Sequence, residues 1–331
     1  MKKLISVILT FVFLACLLIP GFASENTGFG AYKRVFIIGI DGAGRFIKDA
    51  DTPNFDRIFK DGAVKYDARA ETVTNSSPNW GAILTGVSYF ETGLSNDITG
   101  EKERTSDTEY PTVFTYARKA FPDAELASFV NWNNINYGII ENDIGVNKVN
   151  IKDDEKLTDA ICEYFSAGNI PSLFYVQFDS VDHVGHDVGS KSEEYFKQIN
   201  TVDGYLDRIY DSISENGLLE DSLFIVAADH GHTSTGGHGG ITMRETQVTV
   251  AMTGKTVVKG GMMDKDTRNR DIASVALYAL GIERPDNMTS RIPANLFDSV
   301  NGETRSLTKD PKDTIFGSLA WVITLITSIF G

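Results

Sequence analysis

The sequence predicts an α/β fold: a three-layer αβα sandwich with a mostly parallel central sheet. Short apolar runs alternate with helical patterns from residue 34 to residue 280, the pattern of a parallel sheet covered on both faces. Three of the runs lead into acidic segments, at Asp41, at Asp179 to Asp182 and at Asp229. All five histidines fall between His183 and His238. In open parallel sheets ligands bind beyond the carboxyl ends of the strands, so the last two observations direct distant pieces of chain toward one edge.

Residues 34–40 (Arg-Val-Phe-Ile-Ile-Gly-Ile) form a buried strand that ends at Asp41-Gly42. Thr52-Pro53 starts a helix, with proline in the first turn, and Gly62 closes it. A helix is expected over 78–84 and a strand over 125–130. Residues 153–167 read as a helix carrying Cys162 on its apolar side, and 172–178 as a strand ending at Asp179. A long amphipathic helix over 192–216 stops at Gly217. Residues 222–228 form a strand ending at Asp229, 246–252 another strand, and 270–280 a helix closed by Gly281. Periodicity weakens over 87–150, which is read as a small inserted cap on one domain spanning about residues 30–300.

The ends carry different signals. Lys2 and Lys3, an apolar run from Leu4 to Ile19 and the small residues Gly21 and Ala23 make residues 1–23 an expected export signal. Residues 315–331 form a hydrophobic C-terminal tail, short for a spanning helix; membrane contact and an interfacial amphipathic helix both remain open. The expected location is therefore exported, extracellular or at the cell surface. Removal of the signal leaves Cys162 as the one cysteine and no internal disulfide. A formal charge of −14 argues against a nucleic acid duplex as partner. Gly42-Ala43-Gly44 lacks the third glycine of a dinucleotide loop, since Ile47 stands there.

Carboxylate and imidazole together form a donor set for zinc and similar divalent ions. The candidate ligands are Asp41, Asp182, His186, Asp229, His230 and His238. Six such groups exceed one tetrahedral site and suit two ions; the ligand types favour Zn2+, with Mn2+ and Mg2+ as alternatives. Asp182 and His186 lie four apart, one helical turn. His183 and His232 are left to hydrogen-bonding duty around the ligands. A nucleophile is supplied by Thr74-Asn75-Ser76-Ser77-Pro78-Asn79-Trp80, a hydroxyl at the start of a helix, where free amides attract an anion. Trp80, Tyr89 and the Asn131-Trp132-Asn133-Asn134 segment are candidate substrate walls.

These residues, in this order, resemble the alkaline phosphatase superfamily, and within it the nucleotide pyrophosphatase/phosphodiesterase-like branch. The resemblance runs from about Val35 to about Leu296, through Ile40-Asp41-Gly42, Ser76 with Pro78-Asn79, Asp182 to His186, Asp229-His230-Gly231 and Gly237-His238-Gly239. It implies that Asp41, Ser76, Asp229 and His230 hold one metal and that Asp182, His186 and His238 hold the other. It implies Ser76 as the attacking group, with Ser77 as its competitor, and Asn79 as a donor to a non-bridging oxygen. The branch commonly has Thr-Phe-Pro-Asn-His where this chain has Ser76-Ser77-Pro78-Asn79-Trp80. Trp80 also replaces the arginine of the related sulfatases, which argues against sulfate esters.

The expected activity is that of an exported two-metal phosphohydrolase. It would cleave a phosphodiester, pyrophosphate or substituted phosphate ester of a small or nucleotide-like molecule through a phosphoseryl intermediate. A phosphoethanolamine-type phosphotransferase on the same fold is the alternative, and a non-catalytic metal-stabilised surface protein is a third reading.

Overall fold

The computed structural model describes residues 28–297; the expected signal at 1–23 and the tail at 315–331 lie outside them. Seven strands form one sheet: β1 (Arg34–Ile40), β2 (Ala63–Arg69), β3 (Leu126–Val130), β4 (Asn147–Asn150), β5 (Leu173–Phe178), β6 (Ser222–Ala227) and β7 (Gln247–Thr253). Their spatial order is β2-β7-β6-β1-β5-β3-β4. β7 runs antiparallel to both of its neighbours, and every other pairing is parallel. This is the expected mostly parallel α/β architecture.

The helices are α1 (Pro53–Phe59), α2 (Ser76–Thr85), α3 (Tyr89–Thr92), α4 (Asn96–Glu101), α5 (Val113–Ala120), α6 (Asp154–Ser166), α7 (Ser180–Val188), α8 (Glu193–Glu215), α9 (Met243–Thr246) and α10 (Asp271–Ala279). A short 3-10 turn (Phe46–Lys48) and a π-helix (Ile135–Ile139) complete the set. Their contacts fall into two groups. α1, α6 and α7 pack on α8, while α2, α5 and α10 pack on one another; these are the two helical layers. α8 is long because apolar residues recur at helical spacing. Tyr195, Ile199, Val202, Leu206, Ile209 and Ile213 are all buried, and burying each such side chain contributes roughly 1.5–3 kcal/mol.

Three features differ from expectation. The segment 87–150 is not set apart as a cap, because β3 and β4 lie within it and join the central sheet beside β5. Two edge strands do not announce themselves: β4 has a single apolar residue, Val149, and β2 interrupts its apolar residues with Lys65, Asp67 and Arg69. Cys162 is only half-buried.

The sheet order places the site. β6, β1 and β5 are adjacent at its centre, with Ile40 paired to Phe178 and Gly39 to Ala227. Residues that follow these three strands therefore emerge side by side. Gly42 turns the chain there with φ 69°, a conformation that favours glycine. A Cβ on it would also stand 2.7 Å from Asp182 Cα and 2.7 Å from His232 Nε2. The turn is anchored from α8 by Tyr195, whose hydroxyl donates to Gly42 O at 2.6 Å.

Candidate active site

Asp41 directly follows β1, Asp229 follows β6, Asp182 and His186 project from α7 after β5, and Ser76 opens α2. His230 and His238 come from the loop after β6. The structure brings all seven together. Asp41 Oδ1 lies 3.4 Å and Asp229 Oδ2 3.2 Å from His230 Nε2, and Ser76 Oγ lies 3.3 Å from the same nitrogen. Beside this group, His186 Nε2 is 3.0 Å from His238 Nε2. Asp182 Oδ2 is 3.4 Å from His186 Nε2, and Asp182 Oδ1 is 3.5 Å from His238 Nε2. The two groups share an edge: Asp182 Oδ1 is 4.0 Å from His230 Nε2.

These residues fit divalent ions. Donor bonds of about 2.0–2.1 Å in a tetrahedron put neighbouring donors roughly 3.3 Å apart, and the separations above bracket that value. Each acidic ligand has one oxygen committed to the protein. Asp229 Oδ1 accepts from the amides of Gly42 at 3.1 Å and His230 at 2.8 Å. Asp41 Oδ2 accepts from Trp80 Nε1 at 2.8 Å and Gln177 Nε2 at 3.0 Å. The other oxygens, Asp41 Oδ1 and Asp229 Oδ2, are buried without a hydrogen-bond partner. Buried orphan acceptors are costly, and both face His230. The imidazoles are set for ligation too. His238 Nδ1–H donates to Thr74 O at 2.6 Å and His230 Nδ1–H to Gly231 O at 3.3 Å, which leaves both Nε2 atoms bare.

Electrostatics point the same way. Burial, then the facing charge of Asp229, raises Asp41 well above the ordinary carboxyl value; burial raises Asp229 likewise. Burial, then His238, holds His230 far below the usual imidazole value, in the neutral form. For Asp182 burial is outweighed by hydrogen bonds from His186 and His232, and it is held well below the ordinary value. Carboxylates crowded against imidazoles that burial holds below their usual value, His230 and His238, are a set that a dication stabilises.

The structure separates the two serines. Ser76 faces the ligands, whereas Ser77 is fully buried with its Oγ 2.5 Å from Thr99 Oγ1. It corrects the role expected for Asn79. That side chain is buried and saturated: Nδ2 donates to Val73 O and Asn75 O, each at 3.0 Å, while Oδ1 accepts from Glu71 N at 2.8 Å and Asn269 Nδ2 at 3.0 Å. Nothing remains to offer a substrate oxygen. The amide that sequence reasoning missed is Asn96. Its Oδ1 accepts from Ser77 N at 2.9 Å, which holds the side chain at the start of α2. No motif marks it, and it reaches the site only because α4 packs on α2.

Trp80 is fully buried and therefore lines no cleft. His232 has the hydrogen-bonding duty expected of it, donating from Nε2 to Asp182 Oδ1 at 2.9 Å. His183 is exposed, 3.9 Å from Asp187. Asp179, beside Asp182, is pushed up to about 6, by burial first and then by the Asp182 charge. Among the described residues no helix is long and apolar enough to cross a membrane.

A family model described as type I phosphodiesterase/nucleotide pyrophosphatase matches residues 35–280. GPI ethanolamine phosphate transferase 2 of Aspergillus fumigatus is 27% identical over 240 residues, which cover 67% of this chain and 31% of the relative. Human ectonucleotide pyrophosphatase/phosphodiesterase family member 7 is 24% identical over 251 residues, covering 69% of this chain and 54% of the relative. The chain thus spans about a third to a half of these relatives' length. Among solved structures, human ectonucleotide pyrophosphatase/phosphodiesterase 5 superposes with a TM-score of 0.65 at 13% identity, over 80% of this chain and 100% of that one. The inactive murine counterpart in complex with AMP gives 0.62 at 14% identity, over 77% and 97%. The lipoteichoic acid synthase LtaP of Listeria monocytogenes gives 0.60 at 15% identity, over 82% and 78%. At these identities the structural likeness shows the fold.

Proposed function

The chain belongs to the type I phosphodiesterase/nucleotide pyrophosphatase family of the alkaline phosphatase superfamily, and from that premise we propose an exported two-metal phosphohydrolase acting through a phosphoseryl intermediate. Its substrate is a phosphodiester, pyrophosphate or substituted phosphate ester. One observation carries the reading: a serine hydroxyl at a helix N-terminus stands 3.3 Å from an imidazole around which two buried, unpartnered carboxylate oxygens converge.

Asp41, Ser76, Asp229 and His230 would hold one ion, and Asp182, His186 and His238 the other; the nitrogen-rich donor set favours zinc. Two ions in such a site supply charge stabilisation for both the attacking and the leaving oxygen. Ser76 Oγ gives up its proton to solvent as it forms the bond to phosphorus, and the leaving oxygen departs with the electrons of the broken P–O bond. Water then attacks phosphorus, and one of its protons passes to Oγ as the Oγ–P bond breaks, which restores the serine hydroxyl. Ser76 opens α2, where the positive end of the helix dipole favours the incoming anion. Asn96 Nδ2 donates to a non-bridging oxygen as charge builds there. The AMP bound to the murine relative supports a nucleotide-like substrate. The basic and apolar start of the chain supports export.

A transferase reading has its own support in the fungal ethanolamine phosphate transferase; there an alcohol replaces water in the second step. Acid quenching during turnover of a bis-nitrophenyl phosphate, followed by peptide mass spectrometry, tests the covalent step. A nitrophenyl phosphate group on Ser76 is expected, and full turnover by a Ser76→Ala variant would refute the mechanism. Product analysis with and without an alcohol acceptor distinguishes hydrolysis from transfer.

A further inference from the structure

Trp80 departs from the family's usual residue four positions after the nucleophile, and its surroundings give it a task. The side chain is wholly enclosed. Its ring meets Tyr175 edge to face, with centroids 5.9 Å apart, and lies so close over β1 that a Cβ on Gly39 would collide with it. This packing fixes the direction of the indole N–H, which donates to Asp41 Oδ2 at 2.8 Å. Gln177 Nε2 donates to the same oxygen from β5 at 3.0 Å. Two donors on one oxygen stop the carboxylate from rotating and leave Oδ1 alone to face His230 Nε2. Ser76 and Trp80 are four apart on α2, on one face of the helix. The helix that presents the nucleophile thereby also sets the orientation of a ligand beside it.

We propose that Trp80 is a positioning residue that, with Gln177, locks Asp41 into single-oxygen coordination of the ion next to Ser76. The inference rests on the metal reading given above. Partners of this kind typically contribute about 10–100-fold in metal affinity.

The test is zinc binding to the full chain, measured by competition with a chromogenic chelator, for the wild type, Trp80→Phe and Asp41→Asn. Trp80→Phe keeps a ring in the pocket and removes the N–H. The expected result is one zinc affinity weakened about 10–100-fold while the other stays within about twofold. Wild-type affinity at both sites in Trp80→Phe, with one site lost in Asp41→Asn, overturns the role of Trp80 and leaves the metal reading intact. Unchanged binding in Asp41→Asn overturns the metal reading itself. A spectroscopic measurement covers the case in which Trp80→Phe does not fold. The chain has three tryptophans, Trp80, Trp132 and Trp321, so Trp132→Phe with Trp321→Phe leaves Trp80 as sole reporter. Its emission is expected to shift as zinc fills the Asp41 site and to lose that shift in Asp41→Asn. An emission indifferent to zinc counts against the proposal.

Discussion

At the scale of single residues, two neighbouring serines and two asparagines give opposite expectations. Ser76→Ala removes the attacking oxygen, and turnover of a nitrophenyl diester is expected to fall by on the order of 10³-fold or more with the unfolding midpoint nearly unchanged. Ser77→Ala should keep turnover within a few-fold. It removes one hydrogen bond of the Thr99 hydroxyl, which keeps Ser95 O and Asn96 O, at a cost of about 0.5–1.5 kcal/mol in urea unfolding. Asn96→Ala is expected to lower kcat by roughly 10²–10³-fold, the usual loss for an oxyanion donor, and to cost about 1 kcal/mol of stability because Ser77 N loses its acceptor. Asn79→Ala should instead destabilise by about 2–4 kcal/mol, since it strands Glu71 N and Val73 O, while Asn75 O keeps Asn79 N. A large loss of kcat in a stable Asn79→Ala protein would reverse the two assignments. The acidic and imidazole residues stood out in the sequence because few residue types bind metal and these were crowded into short motifs. The asparagines were misread for a physical reason. An amide's role depends on where its two ends point, and Asn79 is fixed partly by Asn269, 190 positions away.

At the scale of elements, the strands that build the site were legible and the ones that border the sheet were not. β1, β5 and β6 lie at the centre and are buried along almost their whole length, so they read as unbroken apolar runs. β2 has mixed burial, and β4, Asn-Lys-Val-Asn, has no fully buried residue; edge strands need no apolar face on both sides and carry charge as protection against further pairing. The helix most sensitive to a small change is α7. Gly185 sits on it between Asp182 and His186, and a Cβ there would press into the His232 ring. Gly185→Ala is therefore expected to push α7 outward, separating Asp182 and His186 from His238. Bound metal, read by plasma mass spectrometry, should fall from two ions per chain to one. Stability should drop by about 1–3 kcal/mol, the ordinary cost of overpacking. Retention of both ions would mean that α7 adjusts without moving its ligands.

At the scale of the whole molecule, the fold concentrates negative charge where three adjacent strands end, and stability must respond to pH and to metal together. In the metal-free chain, burial raises Asp41 and Asp229 well above the ordinary carboxyl value. The fold then holds protons that the unfolded chain releases, so stability declines as pH climbs from the ordinary carboxyl value through the raised ones. Buried His230 works in the other direction. Its depressed value makes the unfolded chain the better proton binder up to about pH 6.5, the ordinary imidazole value; above that its contribution is constant. On the alkaline side the slope is downward, from the raised carboxyls and from His186, which its bond to Asp182 raises above the ordinary imidazole value. In excess chelator the unfolding midpoint is expected to fall between pH 6.5 and pH 8.5. Ions that bind only the folded chain stabilise it by about 4 kcal/mol at a thousandfold excess over Kd, which corresponds to a midpoint increase of roughly 10 °C. Because they replace the protons on the carboxyls, they should also abolish the alkaline decline. Calorimetric scans with chelator and with added zinc at the two pH values check both statements. Coincident midpoints at pH 8.5 would mean that the converging carboxylates and imidazoles bind no ion and that protonation alone keeps them in place.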